Sequence, residues 1–330
     1  MEKQKICIIG GNLTGLVTAI ALSKLNCEID LITGNASQNN ESNKTIAISG
    51  NNFDFLNNLN ISKSLKSEMW PCSIMKLYTE IKNENFSEIF ELNNNRKQRK
   101  ILYMLENSKL IKLMMSKIEQ IKSISVINNE RISEIYSSGL LKSVKFNNNS
   151  YKYNLIIVCT GGNSSLVRNL FNDKIIDNSY SEISITTILK HNSIKNNTVR
   201  QIFLDDAIFA LLPISNRRTS IVWLVKKYIK KNNYLFIKKK IKSYAQNYLK
   251  NIKFVTNIEY KDLNLLIRKK YYHDRILLFG DALHVVHPLA GQGFNMVLRD
   301  LASLERILKN KISLGLDVGS SEILSEVSNE

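Results

Sequence analysis

The chain has 330 residues, 44% hydrophobic and 23% charged, with a formal net charge of +17. That composition is globular, and the length allows about two domains. Only 3 Pro and 13 Gly exclude collagen-like and Pro-rich classes, and no apolar run reaches the ~18 residues of a membrane span. The basic balance fits nucleic acid, anionic lipid or phosphate-bearing ligands, and equally a compositional drift in a chain dense in Lys, Asn and Ile. No nucleic-acid-binding motif accompanies the charge, so no nucleic-acid partner is expected. Gly10 and Gly11 cut short the apolar run Ile6–Ile9, which is not the make-up of a signal peptide.

The opening predicts a βαβ unit. Lys5–Ile9 reads as a buried strand, Gly10-Gly11-Asn12-Leu13-Thr14-Gly15 as a turn, Leu16–Leu25 as a helix and Ile29–Ile32 as a second strand. The first strand is expected at the centre of a parallel sheet, with the turn at its carboxyl edge. In a G-x-G-x-x-G turn the glycines give a tight bend and let a pyrophosphate approach the backbone at the helix N-terminus. Gly10 and Gly15 fit the first and third glycines, but Asn12 stands at the second. The ribose-binding acid expected at the end of the second strand is replaced by Thr33, and Asp30 lies inside the strand. A turn that binds nothing is the other reading of the motif.

Asn35–Lys44 reads as a loop and Phe53–Leu65 as a short helix. Asn107–Ile121 reads as a helix capped by Asn107 or Ser108. Arg131–Tyr136 and Leu140–Phe146 form a hairpin pattern around Ser138-Gly139, and Tyr153–Cys159 is a further buried strand. From Ile183 the texture changes. Ile183–Leu189, Gln201–Leu204, Ile208–Pro213 and Thr219–Val225 are strand-length runs of an antiparallel sheet. Phe203, Phe209 and Leu211 line either an apolar pocket or plain core. Tyr234–Leu249 is a basic amphipathic helix, either solvated or resting on an anionic membrane. Arg275–Phe279 is a strand, Phe294–Leu308 the last clear helix, and the polar chain from Ser313 is expected to fray. The pattern is an α/β dinucleotide domain of residues 1–70, 100–180 and 265–330. Residues 71–99 and 181–264 form an inserted, mainly antiparallel-sheet domain.

Cys7, Cys27 and Cys159 sit in apolar stretches and read as buried small hydrophobes in a reduced, cytoplasmic chain. No cysteine or histidine spacing fits a metal.

The passage Gly280-Asp281-Ala282-Leu283-His284-Val285-Val286-His287-Pro288-Leu289-Ala290-Gly291-Gln292-Gly293-Phe294-Asn295 carries the most information. An Asp after a strand can accept hydrogen bonds from ribityl hydroxyls, and a Gly-rich loop opening a helix offers amides to a flavin ring or phosphate. It resembles the flavin-binding signature of the group A flavoprotein monooxygenases, and within them the FAD-dependent aromatic hydroxylases of ubiquinone biosynthesis. Lys44 before Thr45-Ile46-Ala47-Ile48-Ser49, Trp70-Pro71, Tyr103–Asn107, Ala210–Pro213 and Val222-Trp223 extend the resemblance from residue 5 to about 310.

The resemblance implies a p-hydroxybenzoate hydroxylase-like fold: a Rossmann-like FAD-binding domain and an inserted substrate domain. It implies FAD, NAD(P)H as reductant, and hydroxylation of a polyprenylated phenol through a flavin hydroperoxide. It further implies contact with a quinone-biosynthesis complex and with the periphery of the inner membrane. Gly10, Gly11, Asn12, Gly15, Lys44, Arg168, Gly280, Asp281, Pro288, Gly291, Gln292, Gly293 and Asn295 are the expected cofactor-binding residues. No side chain is expected to act as a catalytic acid or base, because the cofactor carries the hard step. His284 and His287 are expected to orient the loop or contact the flavin. Asn12, Thr33 and Thr160-Gly161-Gly162, where the family has Ala-Asp-Gly, depart from the pattern, and the family usually extends beyond the last helix. A non-catalytic scaffold subunit, or a reductase that hydroxylates nothing, are the alternatives.

Overall fold

The computed structural model describes residues 3–34, 44–61, 65, 67–82, 84–94, 100–128, 130–162, 164–171, 175–231, 233–287 and 292–330. The described helices are α1 (Leu13–Leu22), α2 (Gly50–Asn58), α3 (Asn107–Ile118), α4 (Ser165–Leu170), α5 (Tyr234–Gln246), α6 (Gln292–Ser313) and α7 (Ser321–Asn329).

The strand Gln4–Ile9 is wholly apolar at its end and buried on both faces, as a central parallel strand must be. It pairs in parallel with Cys27–Thr33 on one side and Leu155–Val158 on the other. The sheet continues outward to Ile124–Asn128 on one edge, and to Ile276–Leu278 and Tyr272–His273 on the other. One face packs on α1, α3 and α6 through Ile6, Ile8, Leu31 and Ile157, all fully buried. Each such side chain contributes about 1.5–3 kcal/mol of transfer free energy. The other face is covered by the hairpin sheet of Glu134–Ser138, Leu141–Phe146 and Asn149–Tyr153.

The second layer is a larger sheet. Its core strands are Ile175–Lys190, Thr198–Leu204, Ala207–Ser215 and Arg218–Lys226, extended by Glu259–Arg268 and by the hairpin Ile74–Lys82/Asn85–Asn93. Pairing is antiparallel except between Thr198–Leu204 and Ile74–Lys82. Helix α5 covers one face, with Ile237, Ile241, Tyr244 and Ala245 turned inward. A small sheet of Thr45–Ser49, Trp70–Cys72 and Leu102–Glu106 joins the two layers.

Several expectations change. The domain edges placed near 180 and 264 fall inside the strands Ile175–Lys190 and Glu259–Arg268. The run Tyr153–Cys159 is broken at Asn154, whose side chain accepts from the Lys5 amide at 2.9 Å. Tyr153 ends the preceding strand instead. Helix α2 starts and stops earlier than Phe53–Leu65, because Ser49 caps it through the Asn52 amide. Helix α3 has Glu106 at its N-cap, without a side-chain bond, rather than Asn107 or Ser108. The tail does not fray. Ser320 caps α7, Ile323 and Leu324 are buried, and Lys311 pairs with Glu326 at 2.7 Å. Of the loop expected at Asn35–Lys44, residues 35–43 lie outside the described residues.

All four cysteines are free and buried. Burial pushes the thiols of Cys27 up to about 11 and of Cys72 and Cys159 up to about 12, which makes them inert at neutral pH. Among the described residues no cluster of His, Cys, Asp or Glu could hold a metal, and no helix is long and apolar enough to cross a membrane.

Candidate cofactor and substrate site

The first turn is built by close backbone approach. Gly10 has φ +134°, and a Cβ on Gly15 would lie 1.8 Å from the Gly10 carbonyl oxygen. No other residue fits there. Asn12 is the N-cap of α1, and its side-chain oxygen accepts from the Gly15 amide at 3.2 Å. The side chain therefore folds back onto the helix and takes one of the first-turn amides for itself. The amides of Leu13 and Thr14 have no partner within the helix. Gly11 lies against Thr33, whose hydroxyl donates to Asn128 Oδ1 at 2.8 Å. Asp30 is no ribose acid either, because it accepts the Tyr153 hydroxyl at 2.8 Å.

The second turn lands on the first. Gly280 has φ +63°, and a Cβ there would come within 2.7 Å of Thr14 Cγ2. Residues some 266 positions apart in sequence thus share one carboxyl edge of the parallel sheet. Asp281 follows, exposed, in the short 3-10 turn Gly280–Ala282. Gly162, in the turn after Leu155–Val158, packs on Asp281 and Val285.

Arg268 fastens these pieces. It is buried, and its guanidinium donates to the Ala282 carbonyl at 2.9 Å and the Gly162 carbonyl at 3.3 Å. Lys44 stands among Lys261, Glu259 and Asp281; desolvation of its amine and the Lys261 ammonium lower its pKa. Arg168 is exposed on α4. Gln292 and Gly293 open α6. Pro288 and Gly291 lie outside the described residues.

Asn295 does something the sequence did not indicate. Its amide donates to the Ala47 carbonyl at 2.6 Å and accepts from the Ser49 amide at 2.9 Å and from Asn52 at 2.8 Å. It is a buried brace between α6, α2 and the small sheet.

His284 lies in a short strand on Glu259–Arg268. His287 reaches across to the large sheet, where its Nε2 lies 2.8 Å from Glu182, with Tyr180 edge-on at 4.9 Å. Glu182 also accepts from Lys226 at 2.8 Å. Burial pulls the Glu182 carboxyl up, but the bonds from Lys226 and His287 outweigh it and leave it below the usual range. Its folded pKa being depressed, the pairing is fully present above the unfolded value of ~4.3 and lost as pH falls through the folded one. Glu182→Gln should therefore cost about 1 kcal/mol at neutral pH. Thermal melts of wild type and variant should converge in acid; parallel curves at every pH would show that the carboxylate carries no such linkage.

The strand register also sorts the apolar residues. Phe209 and Leu211 face α5, where Phe209 meets Trp223 and Tyr244 edge-on. They are core. Phe203 pairs with Ile208, and so lies on the opposite face, because side chains alternate along a strand. That inner face brings Val199, Ala210, Leu212 and Val222 against Ala47 and Met104 of the small sheet. Gln201 and Thr186 are buried on it. It is an apolar surface with a few polar groups, adjoining the Asn295 brace.

A cradle closed by two glycine turns, with free first-turn amides and an Asp at the strand end, fits the diphosphate and ribityl parts of FAD. Fold and site together define a flavoprotein of the FAD-dependent monooxygenase class. Residues 3–315 match the family described as FAD binding domain, and the chain belongs to that family. Among curated proteins, the ubiquinone biosynthesis monooxygenase COQ6 of Dictyostelium discoideum is 21% identical over 391 residues, covering 97% of this chain and 79% of that protein. The ubiquinone hydroxylase UbiL of Rhodospirillum rubrum is 25% identical over 229 residues, 68% of this chain and 53% of its own length. The chain spans about half the length of that relative and of the ubiquinone hydroxylase UbiM of Neisseria meningitidis. Among solved structures, PqsL of Pseudomonas aeruginosa, described as a probable FAD-dependent monooxygenase, superposes with TM-score 0.82 at 14% identity over 99% of this chain and 91% of that one. The p-nitrophenol 4-monooxygenase PnpA of Pseudomonas putida gives 0.78 at 14% identity, over 99% and 84%.

Proposed function

We infer that this chain is an FAD-dependent hydroxylase of an aromatic ring in ubiquinone biosynthesis, acting on a polyprenylated phenol with NAD(P)H and dioxygen. The contact of the Gly280 turn with Thr14 carries this reading, because it assembles both ends of a dinucleotide-flavin cradle from distant segments. When bound, FAD supplies the redox chemistry, passing electrons from the nicotinamide to dioxygen. The chain's own residues bind and exclude water. Leu13 and Thr14 amides meet the diphosphate at the positive end of α1. Asp281 accepts from the ribityl hydroxyls, and Lys44 adds positive charge near the phosphates. Gln292 and Gly293 offer amides at the start of α6. Asn295 and Arg268 act through the loops they hold. The inner face around Ala210 and Val222 takes the phenol ring and keeps water from it. The names of the relatives support ubiquinone biosynthesis as the setting. A quinone-biosynthesis complex is the partner this reading implies.

A second reading has one observation in its favour. Asn12 occupies the Gly15 amide that a phosphate would otherwise use, as in a subunit kept for its fold rather than its turnover. Flavin content separates the two. The hydroxylase reading expects a yellow preparation, or one that reconstitutes with FAD. It further expects bleaching by NADH or NADPH without oxygen, and an under-hydroxylated quinone precursor in a strain lacking the gene. A colourless protein that cannot take up FAD would overturn it in favour of the scaffold.

A further inference from the structure

From Lys226 to Ile258 the chain carries ten Lys and neither Asp nor Glu. This stretch forms the short 3-10 helix Lys227–Lys231, then α5, then the turn into Lys253–Phe254. Its inward residues, Ile237, Ile241, Tyr244 and Ala245, fix the outward face of α5. At 100° per residue that face carries Leu235, Lys239, Lys242 and Gln246.

The lysines of this stretch divide in two. Lys226, Lys227 and Lys240 each pair with a carboxylate, as Lys76 and Lys142 do elsewhere in the chain. Among the described residues Lys239, Lys242, Lys250 and Lys253 have no such partner. With Lys190 and Arg217, three of them line an open hollow of about 1120 Å³ at the C-terminal end of α5, and no acidic side chain lines it. At the other end of α5, apolar side chains stand in solvent: Leu235 is 70% exposed, Tyr228 61%, and Tyr234 and Phe236 about as exposed as each other at 40% and 43%.

We propose that the outward face of α5 is a docking surface for an anionic lipid bilayer. Its apolar knuckle, Tyr228, Tyr234, Leu235 and Phe236, enters the acyl boundary, and its unpaired lysines lie among the phosphates of the headgroups. Charge complementarity selects an anionic surface; four exposed apolar side chains beside unpaired lysines match a bilayer, which sets a hydrocarbon layer directly beneath a plane of anionic headgroups, better than a polynucleotide, whose outer surface is phosphate and sugar. The surface begins at Tyr228, two residues after Lys226, which holds Glu182 and through it His287. The knuckle therefore stands at the end of the sheet that meets His287.

The test is sedimentation of the full chain with phosphatidylcholine vesicles and with phosphatidylcholine–phosphatidylglycerol vesicles. Binding is expected to the second only, and to weaken with salt. Lys239→Gln with Lys242→Gln should lower partition about 30-fold. Leu235→Ser with Phe236→Ser should lower it at least about tenfold. These side chains face solvent, so both variants should keep the wild-type thermal transition and flavin content. Wild type that binds neither vesicle, binds both equally, or binds RNA or polyglutamate but no vesicle overturns the proposal. So does either pair of substitutions that melts normally and still sediments like wild type.

Discussion

Gly280→Ala should abolish FAD retention while leaving most of the secondary structure in place. The φ of +63° costs an L-residue about 1–2 kcal/mol. The new methyl group would lie 2.7 Å from Thr14 Cγ2, 3.1 Å from Thr14 Oγ1 and 3.3 Å from Val297. Relieving such overpacking costs about 1–3 kcal/mol more. Neither neighbour can retreat easily: Thr14 is in the first turn of α1, and Val297 is buried in α6. The cheapest relaxation moves the Gly280–Ala282 turn away from α1, which opens the cradle at the join of its two halves. The measurement is the flavin-to-protein absorbance ratio, with titration by FAD. Adding Thr14→Ser removes the Cγ2 contact, the tightest of the three, and should recover part of the steric cost while leaving the backbone strain. Full FAD binding by Gly280→Ala would mean that the join between the turns does not matter to the cofactor.

The parts of this site that the sequence displays are those in which chemistry forces a residue type. Gly10, Gly15 and Gly280 are readable because nothing larger fits, and the runs Ile6–Ile9 and Ile276–Leu278 because burial on both faces makes them wholly apolar. What stayed hidden depends on pairing over long range. Glu182 sits beyond an irregularity in register after Ser179, with Ser181 at φ +52°, and no periodicity reveals a bulge. Its partner His287 is 105 residues away. Asn295 stands in a flavin-like motif, yet its amide is spent on Ala47, Ser49 and Asn52. Phe203 and Phe209 look alike in sequence, and only the register of two antiparallel strands puts them on opposite faces. The hairpin Ile74–Lys82/Asn85–Asn93 went unseen because its second strand is mostly exposed and polar. Helix α7 escaped notice for the same reason: a polar segment of nine residues is held by two buried side chains and an ion pair.

Thr33 and Asn12 show how the departures are accommodated locally. A carboxylate in place of Thr33 would stand where that side chain now packs on Gly11 and bonds Asn128. Asn12, in place of a glycine, pays for its bulk by capping α1, which its φ of −86° and ψ of 178° permit. Both residues therefore preserve the turn.

Arg268→Leu should destabilise the protein and weaken FAD binding together. Arg268 is 2% exposed, and its side chain is the donor to two carbonyl groups, Ala282 in the Gly280 turn and Gly162 in the turn after Leu155–Val158. Leucine fills similar space but leaves both oxygens without that donor, at about 1–3 kcal/mol each. The loss falls on the two loops that flank Asp281, so it should appear in FAD affinity as well as in the thermal midpoint. Arg268→Lys keeps the charge but has a single flexible head in place of a rigid fork. It should hold one loop at a time, and recover less than half of the stability. Arg268→Met tests plain packing, and should do no better than leucine. If Leu or Met gave wild-type melts and full flavin content, the guanidinium would be only a space-filling group, and the two turns would be held in place by Gly280, Thr14 and the sheet alone.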